Sequence, residues 1–473
     1  MNKPTTKDGV GQLTLTFGFP EPKDAVQETQ DNGSLTSQTA LPSTDKPERK
    51  HKWHSLFDKV FALSNLQRAW EQVKANQGTA GIDGITIAHF ARNAPQRLEH
   101  LSQDLRNKTY RPQPVRRVHL PKSGGGQRPL GIPTVTDRIV QQALRQVLEP
   151  IFEAKFSKRS HGFRPERGCL TALAVVDQAL RHGYTWVVDA DIASFFDTVD
   201  HEKLLTALNE EVADGSVLRL IRFILTAGVV LPSVAESEPT EEGTPQGGPL
   251  SPLLANVYLH AFDEAITQAG YGLVRYADDF VIFTKSESEA VAALDLCRHW
   301  LQDRLGLRLH PEKTRVVSVA SGFEFLGFHY FRDPKTGLLC KEVRQKSVQR
   351  FRDAIRERTP RLRTQRRVKP HHVRYSRLVK NQRIREMIRQ INVFLRGWHG
   401  YFKSMRGRYT PRFNSFDGFL RRRIRLAITG RVGSGWWNQL LTNALLRQLG
   451  LCDLETLDLQ DQRGQLAVPA RQG

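Results

Sequence analysis

The pentapeptide YADDF (276–280) lies between two short apolar runs, YGLV (271–274) and VIF (281–283). Apolar runs of that length around a polar pair read as the two strands of a β-hairpin with the acids at its tip. Asp is an ordinary turn residue, but two adjacent carboxylates repel and nothing nearby offsets them, so a partner of opposite charge is implied. A second acidic stretch, WVVDADIASFFD (186–197), reads as a strand on which Asp189 and Asp191 share one face, because side chains alternate with a period of two. Two such strands flanking each other in a sheet converge their carboxylates on a hard cation. Magnesium, with its demand for oxygen ligands in octahedral geometry, is the partner expected.

The 473 residues are enough for two or three domains with sizeable cores. A formal net charge of +21 and a pI near 10 call for a polyanion, with nucleic acid ahead of a membrane surface. The longest apolar run, ILTAGVVLPSVA (224–235), contains Pro and is too short to span a bilayer, so no membrane role is expected. Four scattered cysteines (Cys169, Cys297, Cys340, Cys452) form no C-x-x-C pair; neither a zinc knuckle nor a disulfide framework is expected, and a reducing cytoplasm fits.

Residues 1–50 are rich in Ser, Thr, Gln, Asp, Lys and Pro and read as a flexible leader. TDRIVQQALRQVLEPIF (136–152) places Val140, Leu144, Val147, Leu148 and Ile151 on one helical face, with Thr136 as its cap. SESEAVAALDLCRHWLQDRLG (286–306) predicts a helix opened by a Ser286–Glu289 capping box and stopped by Gly306, with Cys297 on its apolar face. Mixed strands and helices make the fold α+β. Residues 341–430 hold 27 Lys and Arg against 5 Asp and Glu, yet Ile388, Ile391, Leu395, Trp398 and Phe402 recur at helical spacing, so this basic segment is folded. Trp398 reads as a packing residue rather than a base-stacking platform.

In chain order the sequence shows GTAGIDGIT (78–86), QRPLGIPTVTDRIVQ (127–141), HGFRPERG (161–168), DADIASFFDTVDH (189–201), GTPQGGPLSPLLANVYL (243–259), RYADDF (275–280), LHPEKT (309–314) and FEFLGF (323–328). Over about residues 60–425 it resembles the reverse transcriptase/maturase proteins encoded by bacterial group II introns. The resemblance implies a right-hand polymerase. Its layout would be fingers over 51–183, a palm with the catalytic centre over 184–335, a basic helical thumb or maturase (X) domain over 336–430, and a small appendage over 431–473.

The implied catalytic carboxylates are Asp191, Asp278 and Asp279, which with Ile192 would hold two magnesium ions; no other cofactor is implied. Asp189 would be a neighbour and Asp200 a helix cap. Phe196 matches the aromatic placed beneath the incoming sugar, which predicts dNTPs over rNTPs. Lys122 and Arg128, around a Gly-rich turn that lacks the spacing of a phosphate-binding P-loop, would reach the triphosphate, with Gln246 against the nucleotide. SGFEFLGF (321–328) looks like the primer-holding element, although its alternating phenylalanines also suit a core. In FNSFDGFLRRRIR (413–425), Arg421, Arg422, Arg423 and Arg425 cannot all be buried, and RNA is their implied counter-charge.

Implied partners are the group II intron RNA, an RNA template with a DNA primer, dNTPs and target DNA; the oligomeric state is not legible. Where relatives commonly carry Lys-Gly, this chain has Ala193-Ser194. The absence of any histidine after His399 argues against an HNH-type metal site in this sequence. A domesticated polymerase in defence or repair, or a splicing-only RNA-binding protein, are the alternative readings.

Overall fold

The computed structural model describes residues 52–121, 127–230, 242–244, 247–361, 381–405, 413–429 and 441–466. The expected leader, Lys122, Gln246 and the side chain of Arg128 lie outside the described residues. The chain divides into two compact units, Met1–Val316 and Val317–Gly473.

Ten strands run in chain order as β1 (Val115–Pro121), β2 (Gln127–Ile132), β3 (Trp186–Asp191), β4 (Val229–Val230), β5 (Gly272–Tyr276), β6 (Asp279–Thr284), β7 (Arg315–Ser318), β8 (Phe323–Phe325), β9 (Phe328–Arg332) and β10 (Leu339–Val343). In the first unit a four-stranded sheet has the order β5-β6-β3-β7, and a second sheet the order β2-β1-β4. β1 and β2 pair antiparallel, with Pro121 opposite Gln127 on either side of the Gly-rich stretch.

Alternation along the four-stranded sheet explains its layers. Val188, Ala190, Leu273, Phe280 and Ile282 enter a core shared with the helices Val135–Glu153 and Ser251–Gln268. Their neighbours Val187, Val274, Val281 and Phe283, on the opposite face, are buried as well but stand outside that cluster. That second face ends in carboxylates, because β3 and β6 pair antiparallel with Val187 opposite Phe283, Asp189 opposite Val281 and Asp191 opposite Asp279.

The predicted helices form, with one correction. Thr134, not Thr136, caps Val135–Glu153, its side chain accepting from Asp137 N. The extended conformation of a cap suits Thr134, which directly follows a strand and Pro133, whereas Thr136 is already inside the first turn. Ser286 caps the helix Glu287–Arg298, the chain continues as a π-helix to Leu305, and Gly306 ends it at φ +74°. Cys297 is fully buried, and burial raises its thiol pKa.

In the second unit β8, β9 and β10 form an antiparallel sheet. Leu326 and Gly327, both at positive φ, make the two-residue turn between β8 and β9, and Phe323, Phe325 and Phe328 are core residues. Helices Gln345–Arg358, Gln382–Phe402 and Asn414–Thr429 surround Trp398, whose ring lies 4.8 Å from Phe351 and 4.7 Å from both Phe402 and Phe416. The packing reading of Trp398 holds.

Asp417 is buried in the helix Asn414–Thr429 and accepts the backbone N–H groups of Leu454 and Glu455, each at 3.0 Å. Burial, reinforced by the charge of Asp453, pushes its carboxyl up to about 6 against those favourable donors. An acid with a raised pKa in the folded state favours folding most while neutral, so its contribution is present below pH 4 and is lost as pH rises through about 6. Asp417→Asn is therefore expected to shrink the difference in unfolding free energy between pH 4 and pH 7 by on the order of 2–3 kcal/mol, read from urea titrations across that range. An unchanged pH slope would locate the titration elsewhere.

Candidate active site

Three acidic residues stand at the end of the four-stranded sheet. Asp191 is the last residue of β3 and Asp279 the first of β6, and directly opposed residues of an antiparallel pair project from the same face. Asp278 sits in the two-residue turn from Tyr276 to Asp279, where strand alternation does not apply, and its carbonyl accepts Ile192 N at 3.1 Å. Asp191 therefore faces the hairpin tip. Ile192 is buried in the core, so only its backbone oxygen can serve as a ligand.

Two cations on the following segment meet these acids. Lys313 Nζ lies 2.8 Å from Asp191 Oδ2, and Arg315 donates to Asp189 Oδ2 through Nε at 3.1 Å and Nη2 at 3.0 Å. Asp189 is thus a neighbour held by its own ion pair, as expected. The oxygens of Asp191, Asp278 and Asp279 do not gather within 4.8 Å of one another; among the described residues the acidic set that does is Asp417, Asp453 and Glu455. That set is spent on structure, with Asp417 receiving the amides described above and Asp453 paired to Arg421 and Arg447. Asp191 and Asp279 are oxygen donors in direct register on one face of the sheet, the donor chemistry a hard divalent ion takes, and Asp191 already draws the Lys313 ammonium.

The hairpin is pinned from beneath. Ala277 has φ +60°, a turn position that glycine usually fills, and a β-carbon on Gly162 would collide with Ala277 N. Arg275, fully buried, holds the turn. It binds Asp263 through Nε at 2.6 Å and Nη2 at 2.5 Å, while its Nη1 donates to Ala277 O at 3.0 Å and Asn256 Oδ1 at 3.2 Å. The sequence reading missed Arg275, Asp263 and Lys313; an arginine inside an otherwise apolar strand, and the lysine of LHPEKT, were the available signals.

After β3 the chain turns through Ser194 at φ +47°, the position where relatives commonly carry Gly, into a 3₁₀ turn over Phe195–Asp197. Phe196 is 8% exposed, and its carbonyl accepts Thr244 N at 2.7 Å. Glycine is required at 243, where a β-carbon would come within 2.9 Å of Phe196 O. Asp200 caps the helix His201–Asn209, as expected.

Three arginines of the basic run have partners within the second unit. Arg421 pairs with Asp453 at 3.2 Å, Arg423 donates to Thr359 Oγ1 and O, each at 3.2 Å, and Arg425 donates to Leu441 O and Asn443 Oδ1, each at 2.8 Å. These three guanidinium groups are used within the unit. Arg422 is the exposed member of the run.

Residues 120–330 match the family model of reverse transcriptase (RNA-dependent DNA polymerase), and residues 365–438 that of the group II intron maturase-specific domain. Protein YkfC of Escherichia coli K12 is 35% identical over 292 residues, covering 54% of this chain and 76% of that protein. The chain belongs to the group II intron reverse transcriptase/maturase family. Group II intron-encoded protein LtrA of Lactococcus lactis is 41% identical over 203 residues, 42% of this chain and 33% of LtrA. An uncharacterized 91 kDa protein in a cob intron of Schizosaccharomyces pombe is 37% identical over 200 residues, 42% of this chain and 24% of that protein. As a family member the chain carries a reverse transcriptase domain followed by a maturase domain, and no described helix is long and apolar enough to cross a membrane.

Arg275→Met leaves the Asp263 carboxylate buried without its partner and is expected to cost about 3–5 kcal/mol. The double replacement Arg275→Met, Asp263→Leu should recover most of that loss in the same denaturant titration. If the single variant were as stable as the parent, the buried pair would not be what holds the hairpin.

Proposed function

We propose that the chain is an RNA-directed DNA polymerase whose catalytic carboxylates are Asp191, Asp278 and Asp279. The observation that carries this reading is the β3–β6 register, which sets Asp191 opposite Asp279 with Asp278 in the adjoining turn. The same three residues, with the backbone oxygen of Ile192, would hold magnesium. Two magnesium ions bound there would supply activation of the primer 3′-hydroxyl and neutralisation of the pyrophosphate, which leaves as the hydroxyl oxygen bonds the α-phosphorus of a dNTP.

The chain's own residues prepare that step. Lys313 keeps the Asp191 carboxylate oriented by its ion pair, and Arg275 keeps the turn carbonyl of Ala277 in place, so the carboxylates need little rearrangement when nucleotide arrives. Phe196, fixed through its carbonyl by Thr244, would lie beneath the sugar and exclude a 2′-hydroxyl. Lys122 and Arg128 would bind the triphosphate and Gln246 would lie against the nucleotide.

The maturase-specific match and the exposed cations of the second unit, Arg422 with Arg383, Arg385 and Arg396 on the helix Gln382–Phe402, support intron RNA as the second partner. With an RNA template, a DNA primer and target DNA, the same protein would then serve splicing and intron mobility. None of the four cysteines, all of them described, forms a disulfide, which supports a reducing bacterial cytoplasm.

Asp278→Asn should abolish extension of a DNA primer on an RNA template in magnesium while leaving RNA affinity within about twofold; retained extension would remove Asp278 from the reaction. Phe196→Ala should raise ribonucleotide incorporation relative to dNTPs, and an unaltered sugar preference in single-nucleotide extension would discard Phe196 as the gate.

A further inference from the structure

The segment HGFRPERG contains an aromatic residue that none of these roles uses. Phe163 has φ +62° and a ring that is 42% exposed. The left-handed conformation is unfavourable for an L residue with a β-carbon, and an apolar ring left in water contributes little to folding. Both features work against stability, and a bulky residue persists in such a state where its surroundings over-determine it.

Those surroundings are present on both sides. Gly162 is wedged against the backbone of Ala277 and gives its carbonyl to Asn256 Nδ2 at 2.9 Å. On the other side the buried guanidinium of Arg164 binds the Glu153 carboxylate through Nη2 at 2.6 Å and, through Nη1, the carbonyls of Ser157 and Ser160 at 2.5 and 2.9 Å. With the backbone clamped before and after it, Phe163 is held where it is. Its ring centroid lies 6.5 Å from that of Phe196 at an interplanar angle of 71°, and 6.4 Å from that of Tyr276 at 40°. Tyr276 is the cross-strand partner of Asp279, so these rings border the carboxylate end of the sheet, and Phe163 is the most exposed of the three.

We infer that Phe163 is a stacking platform for a nucleobase at the polymerisation site, a binding and positioning residue rather than a catalytic one. An aromatic face suits the task because every base has a π face, so stacking on it tolerates all four bases, as template copying requires. The inference rests on the polymerase reading above. Two bases offer the same chemistry, that of the incoming dNTP and one of the template–primer, and affinity measurements separate them.

The test uses the full-length protein with Phe163→Gly, Phe163→Leu and Phe163→Trp. Thermal midpoints are compared first; Phe163→Gly should match or exceed the parent because glycine relieves the strained φ. KM and kcat for dNTPs in single-nucleotide extension, and Kd for an RNA–DNA template–primer without dNTP, are then measured. Stacking worth about 1–3 kcal/mol corresponds to a rise of roughly 5- to 150-fold. A rise in the dNTP KM alone in Phe163→Gly and Phe163→Leu assigns the incoming base, and a rise in template–primer Kd assigns the other. Phe163→Trp should stay close to the parent in both. If Phe163→Gly misfolds, Phe163→Leu carries the comparison. Values within twofold of the parent in Phe163→Leu overturn the platform while leaving the polymerase reading intact, whereas persistent extension by Asp278→Asn removes the polymerase reading itself.

Discussion

Like charges held side by side govern this molecule. Backbone hydrogen bonds between β3 and β6 tolerate one register, because a slip of β3 by one residue would turn Asp189 and Asp191 into the helix-packed core in place of the apolar Val188 and Ala190. The register that buries those residues is the one that sets Asp191 opposite Asp279. Folding energy from the apolar face therefore holds an electrostatically unfavourable arrangement in place. Lys313 is how the chain itself answers the charge.

Backbone strain is present around the same site. Ala277, Ser194 and Phe163, all non-glycine residues at positive φ, lie in the hairpin tip, in the turn after β3 and in the segment bridged to β5. The compensation is visible beneath them in the fully buried Arg275–Asp263 pair, the Arg164–Glu153 pair and the Gly162 contact. Buried ion pairs give little net stability over apolar packing, but they direct hydrogen bonds at chosen carbonyls. Here the carbonyl of Ala277, in the turn that carries Asp278, is one of them.

The second unit uses its charge differently. Among its described arginines, Arg421, Arg423 and Arg425 bond to acids, carbonyls and polar side chains of the same unit, around an aromatic core centred on Trp398. Guanidinium groups suit that work because their planar donors reach several carbonyls at once. Arg422, Arg383 and Arg396 remain exposed at the surface of their helices.

Much of this was legible from the residues alone. Period-two alternation located the acidic strands and the hairpin, helical spacing located the face of Ile388 to Phe402, and capping chemistry located Ser286, Asp200 and Gly306, because each of these signals is local in the chain. The helix start at Thr134 was misread by two residues, since the decision lay with the strand preceding it. Arg275 with Asp263, Lys313 with Asp191 and Arg421 with Asp453 could not be read, for a charged side chain does not announce its partner when the two are distant in sequence. The sequence by itself determined which residues bear charge, which faces are apolar and hence the α+β architecture. Only the tertiary structure decided which charges neutralise one another, because Coulomb attraction and hydrogen bonding depend on distances that the folded backbone alone sets.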